Sequence, residues 1–198
     1  MNTKTLLVMV DDVAEGHAIP ERFASCAQDG KGGIRDSDNI RPAIRWSGAP
    51  GGTKSYAIIM VDRDVPIKFE SANQSGKTIP ASLPRRNFYH WVQADIPPNV
   101  NHIPEGQAGR VESGISGQND FGARGAEHGI GYDGPCPPWN DERLHHYYFI
   151  AYALDVPSLG LAGAFTGKRL EDAMERHILA KGEVVATYTT NQKKKRAA

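Results

Sequence analysis

The chain has 198 residues, and Lys+Arg balance Asp+Glu at 23 each. A net charge of zero argues against a dedicated nucleic-acid binder, whose basic face must neutralise phosphates, and leaves room for a local anion site. Glycine (21) and proline (13) recur throughout while helical periodicity is scarce, which points to a mainly β domain with long loops.

At this length one domain spanning 1–198 is expected, and roughly 70% of the unfolded surface is buried. The N-terminal apolar run Leu6–Val10 is followed by Asp11-Asp12 and is too short for a signal-peptide core. No stretch approaches the ~20 apolar residues of a membrane span. The protein therefore reads as cytoplasmic, and its two cysteines, Cys26 and Cys136, as free thiols.

Ile44–Ser47 is the first clear strand candidate, followed by the turn Gly48–Thr53. Tyr56–Val61 is continuously apolar and reads as a strand buried on both faces, ending in Asp62-Arg63-Asp64-Val65-Pro66. Residues 67–87 are polar and read as a long surface loop. Phe88–Ile96 is the next strand, stopped by Pro97-Pro98, and 99–131 is glycine-rich loop with room for a short strand.

Gly131-Tyr132-Asp133-Gly134-Pro135-Cys136-Pro137-Pro138 cannot be helix or central strand, since each proline fixes φ and removes a donor. It reads as a stiff loop on a small-ligand rim. Leu144–Leu154 is the second strongly apolar strand. Leu170, Ala173, Met174, His177, Ile178 and Lys181 follow helical spacing, with Thr166 as N-cap and Gly182 as the stop. Val184–Thr190 is the last strand, and about 191–198, with Lys193-Lys194-Lys195-Arg196, reads as a flexible basic tail.

Three strand-linked elements carry chemistry. In Asp62-x-Asp64 extended backbone would turn both carboxylates to one side; in the next strand His90 shares a face with Phe88 and Val92; and His145 shares a face with Tyr147 while His146 points away. Each alone is ordinary: turn capping, a satisfied histidine, a packing tyrosine. Their shared position beside the rigid loop favours a binding site. Gly129–Gly134 spells G-x-G-x-x-G, but prolines follow where a dinucleotide site needs a helix. Gly114–Gln118 lacks the second glycine of a nucleophile elbow. Cys136, His90, His145 and the aspartates match no compact zinc spacing, so no metal or cofactor is expected.

These residues resemble a known family. Asp62-Arg63-Asp64-Val65-Pro66, His90-Trp91-Val92, Gly131–Pro138 and His145-His146-Tyr147 are similar, in order, to the Asp-Pro-Asp-Ala-Pro, His-Trp-Val, Gly-Tyr-x-Gly-Pro-x-Pro-Pro and His-Arg-Tyr patterns of the phosphatidylethanolamine-binding proteins, also called Raf kinase inhibitor-like proteins, in their bacterial branch. Further matches are Trp46–Pro50 and Asn119–Gly122. The resemblance implies a β-sandwich-like fold of antiparallel sheets with a few peripheral helices. It also implies a non-enzymatic binding protein with a small anion pocket for a phospholipid head group or a phosphorylated side chain, with kinase or protease inhibition among the family's roles and homodimers allowed. Carried over residue by residue, the pocket is Asp62, Asp64, Pro66, His90, Gly134, Pro135, His145 and Tyr147. Arg63 and His146 depart from the family pattern, and the 67–87 and 29–38 segments are expanded.

Two arrangements would let aspartates sit beside an anion. In one, Asp62 pairs with His90 and favours its imidazolium. In the other, an aspartate takes the ammonium of a zwitterionic head group while His90, the Gly134 N–H and Tyr147 hold the phosphate. The rival functions are a hydrolase using a histidine base with Asp62 as orienter, and a structural or oligomeric protein with a vestigial pocket.

Overall fold

Residues 57–61 form a strand core because both of their faces have something to bury against. In the computed structural model, which describes residues 4–122 and 129–195, Ile58 and Met60 face one hydrophobic layer and Ala57, Ile59 and Val61 the other. Each fully buried Val, Ile or Met side chain stabilises by roughly 1.5–3 kcal/mol, and four of them in succession after Ala57 make this strand the centre of the molecule.

In chain order the elements are β1 (Lys4–Thr5), β2 (Leu7–Val10), a 3-10 turn at Glu21–Phe23, β3 (Cys26–Gln28), β4 (Ile34–Asp36), β5 (Ile40–Arg41), β6 (Ile44–Ser47), β7 (Ser55–Pro66), β8 (Arg85–Ile96), β9 (His102–Ile103), β10 (Gly106–Gln107), β11 (Ile115–Ser116), β12 (His145–Leu154), α1 (Gly167–Met174), β13 (Ile178–Tyr188) and α2 (Gln192–Lys195). Among the described residues the main sheet has the order β1-β13-β12-β7-β8-β11, antiparallel except for the parallel β1–β13 edge. A second sheet, β2-β6-β9, covers one face through Val8, Val10, Ile44 and Trp46. Helix α1 covers the other face through Leu170 and Met174. The architecture is thus the mainly β, sandwich-like arrangement with few helices that the resemblance implied.

The helix is shorter than its sequence pattern. Thr166 caps it by accepting from the Arg169 N–H, but it ends at Met174. From Ile178 the chain is strand, paired with β12 from Leu154 onward. Ala180, Gly182, Val184 and Ala186 are buried at period two, and this ladder outweighs the weaker helical spacing of Ile178 and Lys181. Gly182 is therefore no helix stop. It sits in β13 opposite Ala151, where a Cβ would come within 2.1 Å of the Leu6 carbonyl oxygen.

Two further expectations are corrected. Cys26 and Cys136 are not free thiols; they form a disulfide, which ties β3 to the proline-rich loop and is of the kind oxidising compartments sustain. The C-terminal segment is anchored at its start: Thr190 Oγ1 donates to the Pro137 carbonyl (2.6 Å) and Asn191 Nδ2 to the Asp141 carbonyl (2.8 Å). Gln192–Lys195 makes a short helix; Arg196 lies outside the described residues.

Candidate functional site

At one end of β7, β8 and β12 lies a cavity of about 720 Å³. Among the described residues its polar lining includes Asp62, His90, Asp120, Asp133, His145 and Tyr147. Register places two of these together: Asp62 on β7 is paired with Tyr147 of β12 on one side and, on the other, with Phe88 of β8, which also lines the cavity.

The alternation expected for Asp62 and Asp64 is broken. Between Asp62 and Val65 the β7–β8 ladder slips: Asp62 faces Phe88 while Val65 faces Arg86, so three steps on β7 match two on β8. This bulge turns Val65, rather than Asp64, into the cavity. The Asp62 Oδ1 accepts from the Asp64 N–H at 2.8 Å and steadies the turn. Asp64 goes instead to Arg143 Nη1 (3.0 Å) and to the ring and backbone N–H of His146 (2.8 and 3.0 Å). Burial opposes its charge, but His146 and Arg143 hold its pKa below the usual carboxylate range. Pro66, Gly134 and Pro135 likewise do not line the cavity.

Asp62 does not pair with His90. It accepts from His145 Nδ1 at 2.6 Å, and His145 Nε2 donates to Asp141 Oδ2 at 3.2 Å. Asp141 in turn takes both terminal nitrogens of Arg85, at 2.5 and 2.9 Å. The result is a buried line of alternating charge. Burial disfavours the His145 imidazolium, but the Asp62 and Asp141 carboxylates outweigh it and raise the pKa to about 9. His145 is thus a cation at neutral pH, and Asp62 reaches the cavity with its charge offset.

His90 is the opposite case. It is 2% exposed, and its Nδ1–H donates to the Asp133 carbonyl at 2.8 Å. Burial lowers its pKa below the ordinary imidazole value, against the pull of Asp62 and the Asp133 carbonyl. Neutral His90 therefore holds its proton on Nδ1 and keeps Nε2 as an acceptor. Its ring lies 5.3 Å from Tyr147 and 5.2 Å from Phe121, centroid to centroid. The Tyr147 hydroxyl is buried and makes no well-aligned hydrogen bond among the described residues, although it lies close to the Asp62 carboxylate. Burial, then Asp62, push its pKa far above the phenol range.

Gly134 stands beside the site with its amide already engaged. Its N–H donates to Asn39 Oδ1 at 2.8 Å, and Asn39 Nδ2 donates to Asp133 Oδ1 at 2.9 Å. A Cβ on Gly134 would meet the Phe23 carbonyl oxygen at 2.1 Å, so glycine is required there by packing against the Phe23–Ser25 backbone. Pro135 serves the same seam, its carbonyl accepting from the Ser25 N–H at 3.0 Å. Asn39, Asp141 and Arg85 were not among the expected residues. Asp141 carried a faint signal, four residues before His145; Arg85 and Asn39 carried none.

Comparison with known proteins agrees with this fold. Residues 10–189 match the phosphatidylethanolamine-binding protein family. A UPF0098 protein of Pyrococcus abyssi is 38% identical over 155 residues, 76% of this chain and 72% of that one. A UPF0098 protein of Aquifex aeolicus is 35% identical over 190 residues, 93% and 96% of the two chains. The crystal structure of Escherichia coli YbcL, described as a new member of the mammalian PEBP family, superposes with a TM-score of 0.69 at 26% identity, covering 93% of this chain and 98% of that one. A Chlamydia trachomatis homologue, CT736, gives 0.68 at 28%, covering 94% and 98%. The chain belongs to the phosphatidylethanolamine-binding protein family.

Proposed function

We propose that the protein is a non-enzymatic binding protein whose cavity floor takes the phosphate of a small molecule, a lipid head group or a phosphorylated side chain. The observation that carries this reading is the Tyr147 hydroxyl, buried at the floor with no well-aligned acceptor, next to His90 and to an aspartate already taken by His145. A buried donor without an acceptor costs about 1–3 kcal/mol, and a ligand oxygen would recover it. An arriving anion also favours the imidazolium of His90, whose Nε2 can then donate to it. Contact with a phosphorylated protein segment is how inhibition of a kinase or protease would arise.

A hydrolase is the weaker reading. The cavity-lining serine hydroxyls are engaged elsewhere, Ser25 Oγ with the Gly134 carbonyl and Ser37 Oγ with that of Glu21, and Cys136 is disulfide-bonded. The same bond favours an oxidising compartment over the cytoplasm. Titration calorimetry with inorganic phosphate tests the proposal: binding to the wild type, lost in His90→Gln and weakened in Tyr147→Phe, is expected. Equal affinity in all three proteins would place the anion elsewhere.

A further inference from the structure

The cavity is larger than the group its floor can hold. About 720 Å³ lies within the roughly 300–1,000 Å³ of pockets that enclose drug-sized ligands, whereas a phosphate is a handful of atoms. Polar residues such as Arg35, Asp36 and Asn39 line part of the remaining wall, and one side of it is apolar and graded. Along β8, Arg86, Phe88 and His90 share a face by alternation, and they run from exposed through half-buried to buried. The Phe88 ring lies 5.1 Å from His90 and 4.8 Å from Phe121, and the Arg86 guanidinium lies 5.6 Å from the Phe88 ring centroid. An aromatic row thus leads from the floor to a cationic rim.

Further apolar lining comes from the bulge and from the expanded segment before β8. The bulge delivers Val65, and residues 67–84 deliver Phe69 and Ala72. That segment is fixed in place. Asn140 Nδ2 donates to the carbonyls of Ser71 (2.7 Å) and Lys77 (3.1 Å), and Asn140 Oδ1 accepts from the Asn73 N–H (2.9 Å). Asn73 Oδ1 accepts from the Trp139 N–H at 3.0 Å. Yet Phe69 stays 45% exposed: an apolar ring is held at the mouth by a hydrogen-bonded frame instead of folding into the core.

We infer that this apolar side is a second subsite, which takes the ring or short alkyl chain of a phosphate ester whose phosphate sits on the floor. The inference rests on the reading of the floor as a phosphate site and adds what the ester carries. The aromatic row suits a flat group, which can meet Phe88 and Phe121 edge to face; a short chain would gain only from burial.

Calorimetry with inorganic phosphate, phosphoethanolamine, phenyl phosphate and hexyl phosphate tests it. The two apolar esters should bind about tenfold or more tighter than inorganic phosphate and phosphoethanolamine, with phenyl above hexyl if the natural group is aromatic and the reverse if it is aliphatic. In Phe69→Ser and in Ala72→Asp the ratio of phosphate to phenyl phosphate dissociation constants should fall toward one. Both substitutions lie outside the core, and a melting curve checks each fold. Phosphate bound as tightly as its apolar esters, or a ratio that neither substitution changes, overturns the second subsite and leaves the floor intact. No binding of any of the four overturns both.

Discussion

His145 and Asp62 meet at 2.6 Å across the β12–β7 pair, and this contact lets an acidic residue sit in a site read as one for anions. Asp62 alone would repel a phosphate. Joined to an imidazolium that Asp141 and Arg85 hold from behind, it presents a pair that is neutral overall. The pKa of about 9 for His145 makes a prediction about stability. A histidine whose folded pKa is raised contributes stability that is fully present below its ordinary value of 6.5 and is lost as pH rises through the folded value. The melting temperature should therefore fall between neutral pH and about pH 9–10, by the equivalent of up to about 3 kcal/mol. In Asp62→Asn the His145 resonance should titrate at lower pH, and the alkaline loss should shift with it.

His90 gives the opposite dependence. Burial holds it neutral, so binding an anion through His90 Nε2 requires proton uptake. Sulfate, whose charge is constant over about pH 5–8, should bind more weakly as pH rises, by up to about tenfold per unit as long as His90 charges in the complex but not in the free protein. Calorimetry in buffers of different ionisation enthalpy should count about one proton taken up. A flat profile, with no proton uptake, would remove His90 from the site.

Tyr147→Phe separates a binding role from a structural one. The hydroxyl makes no well-aligned hydrogen bond, only an approach to Asp62, so unfolding free energy should change by no more than about 1 kcal/mol. Phosphate affinity should drop by about tenfold if the hydroxyl donates to the ligand. A clear loss of stability with unchanged affinity would give the residue to the core.

The Cys26–Cys136 bond closes a sequence separation of 110 residues and constrains the unfolded chain accordingly. Reduction, or Cys26→Ser with Cys136→Ser, should cost about 2–5 kcal/mol of stability. Both cysteines line the cavity, so reduction should also increase amide exchange in β3 and β4. Thiol titration of the unreduced, denatured protein should find no free cysteine; two would mean the bond is absent.

Legibility in sequence followed burial. β7 and β12 could be read directly, because strands buried on both faces are written as unbroken apolar runs, and the residues at their ends, Asp62, His145 and Tyr147, came with them. What escaped were interactions between distant segments. The bulge that separates Asp62 from Asp64 depends on β8 register and leaves no mark in Asp62–Pro66. The Asn39 side chain on the Gly134 amide joins positions 95 residues apart. The helix was overextended because Ile178 and Lys181 fit two periods at once, and only the neighbouring β12 decides between them. The cysteines were misread from a presumed compartment instead of from their neighbours.

The most direct test is a crystal structure of the protein soaked in inorganic phosphate. The account predicts phosphate density on the cavity floor, within hydrogen-bond distance of the Tyr147 hydroxyl and His90 Nε2, with the Asp62–His145 contact kept. Phosphate bound only outside the cavity, or a floor empty under conditions that saturate binding in solution, would contradict it.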